Sequence, residues 1–351
     1  MNFIEYYHKH LDKYQLEAQR LFKKMTLLSA LRLIVFVATG FGFYMLINYW
    51  QVALLFAITG ISVFIYLLSK HTDVKSKHAF HKALVAINKD EIKIAAGDFH
   101  ERDKGLEFQD SNHFYALDID LFGRGSFFQL INRTTIKEGT IVLAEALKAN
   151  NIEDIELRQE TIKELASKPQ WRQYYTATSN LVKVETPAKH IINWLKHHKS
   201  FLPRTMFWLP LVFGVVSVAV FALTILEVIT MQALIGYWLL LGLAITGIYL
   251  KKINILASNT DRVRDTFRQY ANLLDLIENE SFSSELLIVK QKQIQLGDKK
   301  ASTIFKQFAR SLDALDNRNN LIGAIFGNGL FLTDLKNSFK IEQWISNCLL
   351  Y

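Results

Sequence analysis

Asp118 and Asp120 have the residue type and the spacing of a catalytic or metal-binding pair. Alternate residues of an extended segment share one face, so two carboxylates there could hold a divalent cation or exchange a proton. No histidine, third carboxylate or nucleophile accompanies them. We therefore expect them to serve a turn or a cap at a helix entry, a role that short carboxylates often take.

Three pairs of neighbouring histidines are candidate metal ligands by residue type: His8 and His10, His78 and His81, and His197 and His198. The first pair points to different faces of a helix, and the second has no third ligand nearby. Adjacent histidines chelate poorly on a helix, and the third pair is read as cationic when protonated, at a helix C-terminus and near lipid phosphates. We predict no metal site.

A nucleotide-binding loop of the form GxxxxGK[ST] uses backbone amides, a lysine and a hydroxyl to hold phosphates and magnesium. No such run occurs in residues 1–351, and the nearest segment, residues 296–300, lacks the first glycine and the hydroxyl. We predict no catalytic residue and no cofactor-binding residue in this chain. Its single cysteine, Cys348, excludes an intrachain disulfide and suits a reducing compartment.

Two long apolar stretches determine where the other segments of the chain lie. Residues 205–250 carry one charge, Glu227, and residues 33–69 carry none. As one helix the longer stretch would run about 70 Å, more than twice a hydrocarbon core of about 30 Å. Each stretch is therefore predicted to be a transmembrane hairpin, turning near Glu227 and near residues 48–51. The alternative, a pair of buried core helices, normally shows a polar stripe, and none is visible.

Lysines and arginines flank both hairpins and are absent within them. The positive-inside rule then places all outer ends in the cytoplasm, so we predict a multi-pass protein of the inner (cell) membrane with both termini cytoplasmic. The expected segments are an N-terminal amphipathic helix (1–32), hairpin 1 (33–69), a cytoplasmic helical region (70–204), hairpin 2 (205–250) and cytoplasmic helices (251–351). The net charge of +8 is spread evenly over the cytoplasmic parts and favours lipid head groups rather than a defined DNA-binding face.

Helix signals fill the cytoplasmic parts. We predict a helix from Thr72 to about Ala96, helices from Ser126 and from about Ile136 after an extended entry and a glycine turn, and a helix capped by Thr186. A further helix should begin at residue 259 or 260. Its apolar positions at steps of four and three are repeated between residues 305 and 315, which predicts two helices packed along one seam.

The stretch from Phe114 to Leu147 resembles the start of the helical core domain of the MutS family of DNA mismatch repair ATPases. The positions that carry this resemblance are Asp118, Asp120, Phe122, Gly123, Gly125, Ser126, Asn132, Arg133, Thr134 and Gly139, followed by Arg158 and Gln159 of the next core helix. A second group looks like the return through the family's lever and core: Arg318, Asn319, Asp334 and Trp344. The resemblance covers roughly residues 98–200 and 255–347 and implies structural roles for these residues.

The resemblance also implies a function. The family binds mismatched DNA and is a DNA-dependent ATPase, so a membrane-anchored helical core would couple DNA or partner binding to nucleotide state. The family's ATPase domain would begin shortly after Trp344, so ATP and Mg²⁺ would be bound by a domain supplied in cis or by a separate chain. The implied partners are the bilayer, DNA, this ATPase and a second copy of the chain. Whether this sequence is enzymatic is left open.

Two other classes of protein remain as alternatives. A membrane-anchored scaffold could keep the helical core and bind only proteins or lipids, without DNA. A small transporter subunit would need ionisable or discontinuous elements facing a pathway, and only Glu227, Pro210 and a few glycines are available. The sequence thus predicts a mainly α-helical protein whose helical core and lever bundle resembles MutS and carries two transmembrane hairpins.

Overall fold

The computed structural model describes residues 3–149, 152–181, 188–225, 233–296, 299–316 and 321–348. Within these residues the protein is mainly α-helical, which confirms the predicted fold class. The chain divides into two compact units, Met1–Leu181 and Val182–Tyr351, called unit 1 and unit 2 below. Each unit has its own buried side chains.

Unit 1 begins with two long helices, α1 (Phe3–Met45) and α2 (Trp50–Ala95). They run antiparallel, since Phe36 packs near Phe64 and Tyr14 near His81. The connecting turn lies at residues 46–49, which confirms the predicted reversal. At about 1.5 Å per residue α1 is about 65 Å and α2 about 69 Å long, so each extends well beyond a hydrocarbon core of about 30 Å.

The helices of this hairpin continue past the ends that the sequence predicted for it. The N-terminal amphipathic segment continues into the apolar segment as one helix, because no glycine or proline interrupts the chain between residues 24 and 33. Thr72, predicted to begin a new helix, lies inside α2, where its hydroxyl donates to the Leu68 carbonyl at 3.1 Å. The predicted end near Ala96 is confirmed, because α2 ends at Ala95 and Gly97 follows with φ 83°.

Shorter helices complete unit 1 after a 3₁₀ turn at Leu106–Phe108. They are α3 (Phe127–Ile131), α4 (Lys137–Lys148), α5 (Ile155–Ser167) and α6 (Pro169–Asn180). The predicted starts after Ser126 and near Ile136 are confirmed. The extended entry is wrong, because residues 111–120 form successive turns closed by the bond from the Leu121 amide to the Ala116 carbonyl at 2.9 Å.

Unit 2 contains seven helices within its described residues, beside a 3₁₀ turn at Arg204–Phe207 and a hairpin of two short strands, β1 (Gln295–Leu296) and β2 (Lys299–Lys300). The helices are α7 (Ala188–His197), α8 (Leu209–Ile225), α9 (Ala233–Glu278), α10 (Glu285–Gln293), α11 (Ala301–Asp316), α12 (Leu321–Phe331) and α13 (Thr333–Cys348). The predicted cap Thr186 and the predicted turn at Glu227 lie outside the described residues.

Helix α9 passes through residues 259 and 260 without a break, so the predicted new helix start there is wrong. Asn259 and Thr260 are followed by strong apolar periodicity and by no glycine or proline, and one helix therefore continues to Glu278. Helix α11 packs antiparallel to the part of α9 that follows residue 260, and the rings of Phe267 and Phe308 have centroids 4.7 Å apart. This contact confirms the predicted seam.

Three helices are long and apolar enough to cross a membrane: Phe3–Met45, Gln51–Ala95 and Leu234–Thr260. The apolar part of α8, Leu209–Thr224, is shorter. Large apolar side chains on these helices are widely exposed, among them Phe36, Leu55 and Ile248 at 66, 67 and 78%. In water such surfaces would cost stability, whereas lipid tails match them. The structure therefore supports association with a membrane.

Helix α12 is an apolar helix that the sequence analysis assigned to the cytoplasmic helices. It packs against the apolar parts of α8 and α9. A Cβ atom on Gly242 of α9 would overlap the carbonyl oxygen of Gly329, so the two backbones touch directly. Nearby, the Ser217 hydroxyl accepts a hydrogen bond from Trp238 Nε1 at 2.8 Å and lies 2.6 Å from the Leu330 carbonyl oxygen. Close approach at small residues is how helices pack in membranes.

Candidate functional site

The motif segment of unit 1 begins with a glycine turn. Gly123 and Gly125 have φ angles of 113° and 78°, a region that favours glycine because it carries no Cβ. Ser126 follows as the N-cap of α3, and its hydroxyl accepts the Gln129 amide at 3.1 Å. Phe122 and Phe128 pack beside it with ring centroids 5.4 Å apart. The turn thus places a short helix over a small aromatic core.

Gln129 is the hydrogen-bonding centre of this segment, although it is not among the positions predicted from the sequence. Its side chain is fully buried, and its Oε1 accepts the Gly125 amide at 2.7 Å. Its Nε2 donates to the carbonyls of His100 and Arg102 at 2.9 and 2.6 Å. One signal for this role is present in the sequence: a single amide side chain stands between apolar residues on a five-residue helix. A polar side chain buried at such a position needs hydrogen-bond partners.

Two arginines join the motif segment to the end of α2. Arg133 makes a bidentate pair with Glu91, at 2.6 Å from Nε and 3.1 Å from Nη2. Arg102 contacts Asp90 and the carbonyl of Asn132. Bidentate arginine–carboxylate pairs fix orientation as well as adding energy. The motif segment is therefore fastened to the helix that leads out of hairpin 1.

The other motif positions do not converge on one site. Asn132 Oδ1 accepts the amide and the hydroxyl of Thr134, at 2.9 and 2.6 Å, beside Gly139. Asp118 and Asp120 are exposed, and Asp120 has a φ of 46°, as a turn residue does. The other two positions lie on α5, where Arg158 donates to the Glu153 carbonyl and Gln159 is exposed. In the described residues no group of three metal-ligating side chains occurs.

Unit 2 contains a buried carboxylate, Glu342 of α13, which is 4% exposed. It accepts the Ser200 hydroxyl at 2.9 Å and the amides of Phe201 and Leu202 at 2.9 and 3.2 Å. His198 Nε2 lies 3.3 Å from its Oε1, without the geometry of a hydrogen bond. Burial opposes ionisation, but the ring and these donors outweigh burial and lower the pKa of Glu342. The carboxylate ties α13 to the segment that enters α8.

The predicted lever residues take structural positions where they are described. Trp344 stacks on Phe308 with ring centroids 3.7 Å apart, and the Asp334 amide donates to Asn328 Oδ1 at 2.8 Å. Arg318 and Asn319 lie outside the described residues. Charged groups line the α9–α11 seam, where Arg264 pairs with Asp316 and lies 3.8 Å from Asp313. These contacts hold the part of α9 that follows residue 260 against α11.

The class of protein that these features define is a mainly α-helical protein with candidate membrane-spanning helices. The motif segment is bonded to α2, which contains one apolar span. The buried carboxylate bonds α13 to the segment that enters the apolar helix α8. No protein-family model, curated protein or solved structure matches the chain. The likeness to MutS therefore stays a prediction from the motif residues.

Proposed function

We propose that this chain is the membrane-anchored, non-motor part of a MutS-like ATPase. Its helices outside the candidate membrane spans would couple DNA or partner binding to nucleotide state. The observation that carries the proposal is the unbroken α9, which leaves the apolar span Leu234–Thr260 and continues to Glu278 against α11. Sharp kinks in a helix arise mainly at proline, glycine or a bulge, and no glycine or proline follows Gly247 in α9, so movement at one end of this segment reaches the other. That property suits a lever.

The motif segment supports the proposal from unit 1. Its polar side chains, Gln129, Asn132 and Arg133, bind neighbouring backbone and α2 rather than pointing together at a substrate. This arrangement agrees with the structural role that the resemblance implies. ATP and Mg²⁺ would be bound by an ATPase domain in cis or in a separate chain, with a second copy of this chain and DNA as further partners. The location proposed is the inner membrane, with the outer helices in the cytoplasm.

The test uses the tagged full chain extracted in mild detergent from its native membranes. We expect ATP hydrolysis to copurify with it and duplex DNA to bind with an affinity that falls steeply with salt, because phosphate contacts release counterions. A mismatched duplex measures discrimination in the same assay. If neither hydrolysis nor salt-sensitive DNA binding is found, the proposal fails and a membrane scaffold that binds proteins or lipids is the better description.

A further inference from the structure

A groove of about 490 Å³ lies in unit 2 between α8 and α13. Apolar side chains form most of its lining, and Leu211, Val215 and Phe331 are exposed by 68, 63 and 43%. The groove therefore presents apolar surface at the side of a helix that is itself apolar.

The direction of the groove follows from contacts at its two ends. Phe207 lies beside Phe339 with ring centroids 6.4 Å apart, and Phe331 lies beside Gly214. Helix α13 therefore borders the first turns of α8, and the apolar lining continues to Val218. From Phe207 to Val218 the chain rises about 16 Å, close to half of a hydrocarbon core of about 30 Å. One leaflet of a bilayer has this depth.

The polar part of the lining is cationic. Lys336 and Lys340 are four residues apart, so they share one face of α13, and both are exposed together with Gln343. Among the residues that the structure describes, no acidic side chain lines the groove. Neither lysine forms an ion pair with any residue that the structure describes. Two uncompensated ammonium groups next to an apolar surface match an amphiphile with an anionic head.

We propose that this groove binds an anionic glycerophospholipid of the bilayer, with an acyl chain along α8 and the head-group phosphate at Lys336 and Lys340. The apolar length selects for a lipid tail, and the paired lysines select for negative charge on the head. The proposal rests on α8 lying in a bilayer and is independent of any role with DNA or ATP. It would place one lipid between the entry of hairpin 2 and α13.

The test compares phosphatidylglycerol with phosphatidylcholine of the same acyl chains. The purified full chain in a neutral detergent is titrated with each lipid, and bound lipids are counted by native mass spectrometry. We expect one site that prefers phosphatidylglycerol. In a double variant, Lys336→Gln with Lys340→Gln, that preference should fall about tenfold, since each lysine near a membrane surface attracts anionic lipid. The control variant, Lys75→Gln with Lys77→Gln, removes the same charge from exposed positions on α2 and should keep the preference.

A second variant tests the apolar part without changing charge. Val215→Trp places a large ring in the groove at an exposed position, so folding should be kept while binding of both lipids is lost. Equal affinity for the two lipids would overturn the proposal, and so would an equal loss in the Lys75 and Lys77 control. Displacement of the lipid by inorganic phosphate alone, or unchanged binding in Val215→Trp, would also overturn it, because the apolar groove would then contribute nothing.

Discussion

Gln129 shows how much one amide side chain can organise. It is fully buried and satisfies the Gly125 amide and the carbonyls of His100 and Arg102, three backbone groups on two separate loops. A buried amide side chain must find such partners, because an unpaired buried polar group costs as much as a lost hydrogen bond. The Gln129 side chain thus joins the two loops.

Gln129→Ala should therefore lower the free energy of unfolding of the full chain by about 3 kcal/mol, because it removes three hydrogen bonds of a buried side chain at about 1 kcal/mol each. The measurement is chemical or thermal unfolding in detergent. Gln159→Ala, at an exposed motif glutamine, is the matched control and should change stability by less than about 0.5 kcal/mol. Equal effects of the two substitutions would contradict the assigned role of Gln129.

Glu342 makes a pH-dependent contribution at the residue scale. Its pKa is lowered from the ordinary value of 4.5, so folding favours the ionised carboxylate. The resulting stability is fully present above the unfolded-state pKa and is lost as the pH falls through the lower folded-state pKa. Glu342→Gln should cost about 2 kcal/mol at pH 7, a typical value for hydrogen bonds to a charged group.

Unfolding of the wild type and of Glu342→Gln at several pH values measures this contribution. The gap between the two should be constant from neutral pH down to about pH 5 and should shrink below about pH 4. Glu285→Gln, at an exposed position of α10, should show no such gap. A gap that widened below about pH 4 would show that the carboxylate is not stabilised in its ionised form.

At the scale of elements, α12 depends on a contact that only glycine permits. An added Cβ on Gly242 would overlap the Gly329 carbonyl and lie 2.8 Å from the Asn328 carbonyl oxygen, both rigid backbone atoms. Neither helix can yield by rotating a side chain. The contact holds α12 against the apolar half of α9. A turn at Leu332, where φ is 49°, then connects α12 to α13.

Gly242→Ala should destabilise the protein by about 1 to 3 kcal/mol, as overpacking does. Helix propensity alone would give the opposite sign, because alanine favours a helix by about 1 kcal/mol over glycine. Gly247→Ala is the matched control on the same helix, since nothing lies within 4 Å of its added Cβ. Thermal unfolding of both variants in detergent separates the two effects, and stabilisation by Gly242→Ala would refute the close contact.

Local signals in the sequence predicted some of these elements well. The turn after Met45, the glycine turn, the Ser126 cap and the α9–α11 seam each depend on residues that are near in sequence or on simple periodicity. The boundaries at Thr72 and at residues 259 and 260 failed because a polar residue can lie inside a long helix. The partners of Gln129 and Glu342 could not be predicted, because they are backbone groups brought close only by the folded chain.

At the scale of the whole molecule, both units contain candidate membrane spans joined to helices outside them. The flanking lysines and arginines predict that these outer parts share the cytoplasmic side. Asp118 in the motif segment and Asn48 in the turn of hairpin 1 are both exposed. These two positions lie on opposite sides of the membrane if the prediction holds.

Single cysteines at these positions test the topology in a Cys348→Ser background. With a maleimide that does not cross membranes, Asn48→Cys should be labelled in intact cells. Asp118→Cys should be labelled only after the cells are permeabilised. Labelling of Asp118→Cys in intact cells, under conditions that leave a cytoplasmic marker unlabelled, would reverse the proposed orientation.

The length of α9 beyond Thr260 links the molecule to the thickness of its bilayer. A span longer than the local hydrocarbon core accommodates the mismatch by tilting. Residues 261–278 form an arm of about 27 Å, so a tilt of about 10° at the span would displace Glu278 by about 5 Å. Thinner and thicker membranes would therefore set different resting positions for α11, which is packed on that arm.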